Sequence, residues 1–224
     1  MQNNYRLLLS TLLAALLWWP GNPPSATAQP VLLKDINARQ THENPEGFNF
    51  APHDLADVKG TLFFAAYQQA TGTELWKSDG TAAGTRLVKD IHGGTTGSRP
   101  THLTAVNGTL FFVAEDYQLW KSDGTEKGTT LLKQFSSYDY LVNNLTNVNG
   151  TLFFTADGPS GRALYKSDGT GNGTVLVQDG FENGTYAVSH LTNVNGLLFF
   201  AAEDDHGTEL WKSNGTAAGT VRVK

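Results

Sequence analysis

Four times along this chain the same short string returns. Ser78-Asp79-Gly80-Thr81 recurs as Ser122-Asp123-Gly124-Thr125, Ser167-Asp168-Gly169-Thr170 and Ser213-Asn214-Gly215-Thr216, with serine spacings of 44, 45 and 46 residues. A second landmark, Gly-Thr-Leu-Phe-Phe, begins at Gly60, Gly108 and Gly150 and returns as Gly196-Leu197-Leu198-Phe199-Phe200. Repetition at this period marks supersecondary units that stack to cover one another's apolar faces. It excludes folds with a single non-repeating core.

Each unit reads as four short strands. The first is His102 to Val106, matched by Asn144 to Val148 and His190 to Val194. It runs into Asn107-Gly108, Asn149-Gly150 or Asn195-Gly196, and Asn-Gly between apolar runs signals a hairpin because both residues tolerate positive φ. The second strand, Thr109 to Ala114, is continuously apolar, the pattern of a strand buried on both faces. Glu74-Leu75-Trp76-Lys77 and its counterparts form the third, and Thr85 to Ile91, Thr129 to Phe135, Thr174 to Gln178 and Thr220 to Lys224 the fourth. The expectation is an all-β, propeller-like array of four four-stranded repeats at 53–91, 101–135, 143–179 and 189–224. Val31 to Ile36 adds a fourth strand with no first three before it. The array is therefore expected to be incomplete or shared between chains.

The Ser-Asp-Gly-Thr segments link third and fourth strands. An Asp side chain accepts bonds from nearby backbone amides and the following Gly takes up the left-handed conformation. Asp79, Gly80, Asp123, Gly124, Asp168, Gly169, Asn214 and Gly215 are accordingly read as structural turns. Asn214 in the last copy argues for that reading, since Asn accepts the same bonds without charge; a ligand site is the alternative.

The string Leu-Trp-Lys-Ser-Asp-Gly-Thr, followed by Gly-Thr three residues later, resembles the ELWxxDGT repeat family of large exported bacterial proteins, some described as hyalin-like. The resemblance covers Val31 to Lys224. It departs from the pattern at Gln118 and Ala163 in place of Glu, at Tyr165 in place of Trp, and at Asn214. These departures argue against Glu74 and Glu209 as a shared catalytic group. The turn is also similar to the Asp-box turns of sialidase propellers and the Asp-Gly turns of TolB-type propellers, which implies propeller geometry and not sialidase chemistry.

The N-terminal residues read as a leader rather than as fold. Met1 to Arg6 is polar with one positive charge, Leu7 to Trp19 is a 13-residue run that is apolar apart from Ser10 and Thr11, and Ala26-Thr27-Ala28 supplies small residues for cleavage. Such a run is shorter than the ~20 residues a membrane-spanning helix needs. A secretory signal over residues 1–28 is expected, with a mature start at Gln29 and a secreted or periplasmic location. A permanent anchor is the competing reading. The chain has no cysteine, which excludes disulfides, thiol catalysis and thiolate metal sites. A net charge of −5 without a basic run makes a poor nucleic-acid binder.

Features common to all copies serve the fold, so function is sought where the copies differ. The links between second and third strands carry Glu115, Asp116, Asp157, Asp204 and Asp205, which converging on one rim would suit Ca²⁺; an acidic solvated surface is the plainer reading. No other cofactor is expected and no catalytic residue is assigned. His102 and His190 occupy equivalent positions, shared with Asp54 and Asn144, and read as partly buried, hydrogen-bonded groups. Trp76, Trp120, Tyr165 and Trp211 recur once per unit and read as core, with a sugar-stacking platform as the alternative. Tyr67, Tyr117, Tyr138, Tyr140 and Tyr186 fall in variable loops and are candidates for partner contact, because Tyr gives large contact area at small entropic cost.

Together these readings point to a non-catalytic exported repeat protein presenting a loop-rich face to a protein or glycan. Two alternatives stand beside it: a propeller glycan hydrolase or lyase using rim carboxylates such as Asp116 and Asp204, and a calcium-stabilised matrix repeat. Unpaired terminal strands also make self-association an expectation.

Overall fold

A computed structural model describes residues 32–36, 51–135, 141–181, 187–204 and 207–223. The chain divides into two compact units, Met1–Leu32 and Leu33–Lys224; the fold described here is that of the second. Signal and leader assignments, together with Tyr138, Tyr140, Tyr186, Asp205 and His206, lie outside the described residues.

Every described element is a strand. The first repeat contains β1 (His53–Val58), β2 (Thr61–Gln68), β3 (Gly72–Ser78) and β4 (Arg86–Lys89). The second contains β5 (Thr101–Val106), β6 (Thr109–Ala114), β7 (Gln118–Ser122) and β8 (Thr130–Gln134). The third runs through β9 (Asn143–Val148), β10 (Thr151–Gly158), β11 (Gly161–Ser167) and β12 (Val175–Phe181), and the fourth through β13 (Val188–Val194), β14 (Leu197–Asp204), β15 (Gly207–Ser213) and β16 (Val221–Arg222). Each repeat is one four-stranded antiparallel sheet in sequence order, a blade.

The local chemistry expected from the sequence builds each blade. Lys59-Gly60, Asn107-Gly108, Asn149-Gly150 and Asn195-Gly196 all have positive φ at both residues, the geometry that matches a two-residue turn to the twist of its strands. The first strand of every blade also carries a bulge, with one left-handed residue: Asp54, His102, Asn144 or His190, at φ between 51° and 57°. Asp, Asn and His are the non-glycine types most tolerant of that region. His102 and His190 are thus exposed bulge residues rather than partly buried ones, and this backbone demand accounts for their sharing a position with Asp54 and Asn144.

Blades stack face to face. Val58, Phe63, Leu75 and Val88 of the first blade bury against Leu110, Phe112 and Ala114 of the second. The same pattern sets Val106, Phe111 and Leu119 against Leu152, Phe154 and Tyr165, then Val148, Phe153 and Leu164 against Leu198, Phe200 and Trp211. Alternate residues of each Phe-Phe strand therefore serve opposite interfaces, which is why that strand is apolar on both sides. The once-per-blade aromatics join this packing: Trp120 stacks on Phe112, Tyr165 on Phe154 and Trp211 on Phe200.

First strands pack side by side, β1 with β5, β5 with β9 and β9 with β13, whereas among the described residues no comparable contact joins β13 to β1. The four blades form an open propeller-like array. Of the strand expected over Val31 to Ile36, the described part, Leu32–Ile36, carries no ladder. A fourth strand pairs with the third strand of its own blade, and among the described residues none stands beside Leu32–Ile36. Lys34 still donates from Nζ to Thr85 O (2.5 Å), as Lys89 donates to Thr129 O (2.9 Å) one blade later. Ile36 packs on the Phe64–Trp76 cluster.

Candidate functional site

Antiparallel order sends the Asn-Gly hairpins and Asp turns to one end of the array and the variable links to the other. The two ends have different chemistry.

At the turn end each copy closes the same network. Asp79 Oδ1 accepts from Thr81 N (2.9 Å) and Thr81 Oγ1 (2.7 Å), Gly80 N donates to Ser78 Oγ, and Ser78 Oγ bonds Thr85 Oγ1 (2.7 Å). Asp123 and Asp168 repeat these bonds, and Asn214 Oδ1 accepts the equivalent two at 3.0 and 2.8 Å. The bonds from Thr81, Thr125 and Thr170 favour the ionised Asp and hold each carboxyl below its ordinary range. A groove of about 230 Å³ lies between the second and third blades here, lined by Asn107, Phe111, Lys121, Asp168 and Gly169. Its polar groups already face one another across the seam: Lys121 Nζ donates to Gly169 O (2.7 Å) and Asn107 Nδ2 to Gly150 O (2.9 Å).

The loop end centres on Glu115. Glu115 and Asp116 both adopt positive φ, 51° and 62°, so β6 and β7 are joined by a tight turn whose Glu side chain points back toward the linker from blade one. His92 Nδ1 bonds Glu115 Oε1, while Tyr117 Oη (3.3 Å) and Gln118 Nε2 (3.5 Å) bond Oε2. Gln118 Oε1 in turn accepts from Trp120 Nε1 (2.9 Å). The turn backbone is braced as well, by Glu115 N to Ser98 O (2.8 Å) and Val142 N to Asp116 O (3.0 Å).

Behind this group lies Glu74, fully buried. Its carboxylate accepts from His92 N (3.2 Å), Ser98 N (2.8 Å) and Ser98 Oγ (2.7 Å), pinning both ends of the 92–98 linker. Burial pushes its carboxyl up, against the lowering effect of those bonds. Gly72 and Gly97 permit the linker to lie against β3: both have positive φ, and a Cβ on Gly72 would overlap the backbone of residues 95–97, one on Gly97 the backbone of Thr73. In the third blade Ala163 replaces that Glu, and the fully buried Arg162 bonds Leu141 O (2.6 Å) and Thr155 Oγ1 (2.7 Å) instead. Neither anchor was identified from sequence as a loop-end support. The Glu-to-Ala and Thr-to-Arg differences between copies at neighbouring positions were the available signal.

The four described acidic candidates stand on three different blades. Glu115 and Asp116 belong to the second blade, Asp157 to the third and Asp204 to the fourth, where it pairs with Arg222 Nη1 (3.5 Å). Among the described residues no three His, Asp or Glu side chains gather as metal ligands, and no helix is long and apolar enough to cross a membrane. Tyr67 and Tyr117 are half-buried at the loop end of adjacent blades.

No family model and no curated protein matches this sequence. Among solved structures the chain is similar to puromycin hydrolase, with TM-score 0.53 and 14% identity over 76% of this chain and 28% of that one. Its S511A mutant complexed with PGG gives TM-score 0.52 and 15% identity over 72% and 26%. The computationally designed Ika4 protein gives TM-score 0.48 and 18% identity over 82% and 98%. The chain thus spans little more than a quarter of the puromycin hydrolase chains. At such identities the likeness concerns the fold alone.

Proposed function

We propose that this chain is a non-catalytic, exported binding module whose loop end presents a preorganised surface to a protein or glycan. One observation carries the reading: at the loop end His92, Glu115 and Tyr117 form one partly exposed, hydrogen-bonded group, and the buried Glu74 pins the His92 linker behind it. Immobilising side chains before a partner arrives lowers the entropic cost of association. Glycoside hydrolysis requires two facing carboxylates ~5–10 Å apart, whereas Glu115 with Asp116, Asp157 and Asp204 stand on three separate blades. The apolar run at Leu7–Trp19 and the resemblance to ELWxxDGT repeats support placing the module outside the cytoplasm.

The test is retention of the purified chain on intact cells of the producing strain, scored by sedimentation, with reducing-sugar release assayed in parallel. The expected result is binding that falls at least about tenfold in a Tyr67→Ser, Tyr117→Ser variant of unchanged melting temperature. Equal retention of that variant would remove this surface. Sugar release abolished by Asp116→Asn or Asp204→Asn would replace the binding reading with the hydrolase one.

A further inference from the structure

Three internal interfaces carry the same set of contacts, and both outer faces of the array carry one half of it. Across each internal seam the second-strand Phe of one blade covers the turn glycine of the next. A Cβ on Gly124 would meet Phe63 Cζ at 3.0 Å, one on Gly169 would meet Phe111 Cζ at 3.3 Å, and one on Gly215 would meet Phe153 Cζ at 3.0 Å. The third-strand lysine follows the same course. Lys121 Nζ bonds Gly169 O and Lys166 Nζ bonds Gly215 O, both at 2.7 Å, and Lys77 Nζ reaches the same side of Gly124.

On the first blade the receiving half is open. Gly80 is exposed where Gly124, Gly169 and Gly215 are buried, and nothing lies within 4 Å of a Cβ built on it. Leu62 is 36% exposed where Leu110, Leu152 and Leu198 are fully buried. On the fourth blade the donating half is open. Leu210 is 50% exposed against 0% for Leu75, Leu119 and Leu164. Phe199 is only half-buried, Val194 is exposed, and no hydrogen bond is formed by Lys212 Nζ among the described residues, unlike Lys121 and Lys166.

We infer that these two faces are halves of one interface, and that a second copy of this chain fills it head to tail. Phe199 and Lys212 of one copy would cover Gly80 of the other, as Phe63 and Lys77 cover Gly124. The occupant is specified by continuity with the three interfaces already present: the exposed residues are repeat equivalents of the buried ones, in the same strands. Lys34 and Ile36 hold the contacts to Thr85 and Trp76 that a preceding blade's fourth strand would make, and β16 of the incoming copy would displace them as it docks. A heterologous contact closes only if its rotation permits. Two four-bladed arrays give eight blades, within the range of closed propellers, and among the described residues no contact comparable to that of β1 with β5 joins β13 to β1.

Light scattering on the full chain, at concentrations from 1 to 100 µM, tests this. Twice the protomer mass is expected. Leu210→Asp should weaken self-affinity at least about a hundredfold by burying an unpaired charge, while leaving the melting temperature of the separated chain unchanged, since Leu210 is half exposed there. Leu131→Asp, also exposed but on a fourth strand, should leave the mass doubled. As a second readout, Lys212→Cys and Thr81→Cys chains, otherwise free of cysteine, should cross-link to each other with a short bis-maleimide and not to themselves. A single-copy mass throughout the range, or a doubled mass indifferent to Leu210→Asp, would overturn the inference.

Discussion

Asp123 and Gly128 occupy adjoining space: a Cβ on Gly128 would overlap Asp123 Oδ1, the oxygen that accepts both Thr125 N and Thr125 Oγ1. The glycine of the trailing Gly-Thr is therefore required by the Asp side chain five residues before it, and the two landmarks of the repeat are one structure. Gly84, Gly173 and Gly219 stand in the same relation to Asp79, Asp168 and Asn214.

Gly128→Ala should consequently destabilise the chain by about 1–2 kcal/mol, because the Asp must leave its Thr125 bonds to make room. In an Asp123→Ala background the same change should cost less by about 0.5 kcal/mol or more, since the overlap is gone. Urea denaturation of the four proteins closes the cycle. Strict additivity would show that the two residues do not act together.

The Asp turns also set an acid limit. Asp79, Asp123 and Asp168 have folded-state values held below the model-peptide 3.8. A carboxyl depressed on folding contributes stability that is present above its unfolded value and lost as pH falls through the folded one. Melting temperature should therefore decline below about pH 4. The triple change Asp79→Asn, Asp123→Asn, Asp168→Asn, copying the fourth blade, should retain the fold and flatten that decline. An unchanged acid slope in the triple variant would contradict the assignment.

Glu74 acts in the opposite sense. Its carboxyl is raised by burial above the ordinary 4.5, so its ionisation costs stability as pH rises from that value through the raised one. Glu74→Gln keeps acceptors for His92 N and Ser98 N and should remove this pH dependence. Glu74→Ala leaves the buried Ser98 amide without a partner and should cost about 1–3 kcal/mol. Hydrogen exchange at residues 92–98 reads the difference, with fast exchange expected only in the alanine variant.

Gly97→Ala should cost more than about 2 kcal/mol, because φ is +69° and the added Cβ overlaps the backbone of Thr73. Gly93→Ala, four residues earlier with nothing within 4 Å, should be close to neutral. Thermal melts of the pair suffice, and equal effects would show that the 92–98 linker is not held against β3.

Much of the fold was legible from residues alone. Asn107-Gly108 announces its hairpin because few pairs accept two positive φ values, and Phe111-Phe112 announces two covered faces because an exposed side would be polar. At the position shared by Asp54, His102, Asn144 and His190 the sequence suggests partly buried, hydrogen-bonded histidine, whereas in the structure His102 and His190 are exposed bulge residues. The common property of the position is backbone tolerance, and a bulge inside a strand has no hydrophobic period to reveal it. The loop-end site was less legible. Tyr67 and Tyr117 stood out as variable aromatics, but Glu74, His92 and Glu115 meet only when the linker folds back, and that return depends on Gly72 and Gly97 rather than on any local motif.

Gly-Thr-Glu-Leu-Trp-Lys-Ser occurs twice, at 72–78 and 207–213, and forms the same strand both times. That much is decided by short-range chemistry: branched and aromatic side chains, turn residues and the alternation of a pleated strand. Leu75 is wholly buried and Leu210 is half exposed. Identical residues cannot distinguish those outcomes, because burial depends on what packs against a strand and not on the strand itself. Only the arrangement of neighbouring blades assigns one leucine to the core and leaves the other on an open face.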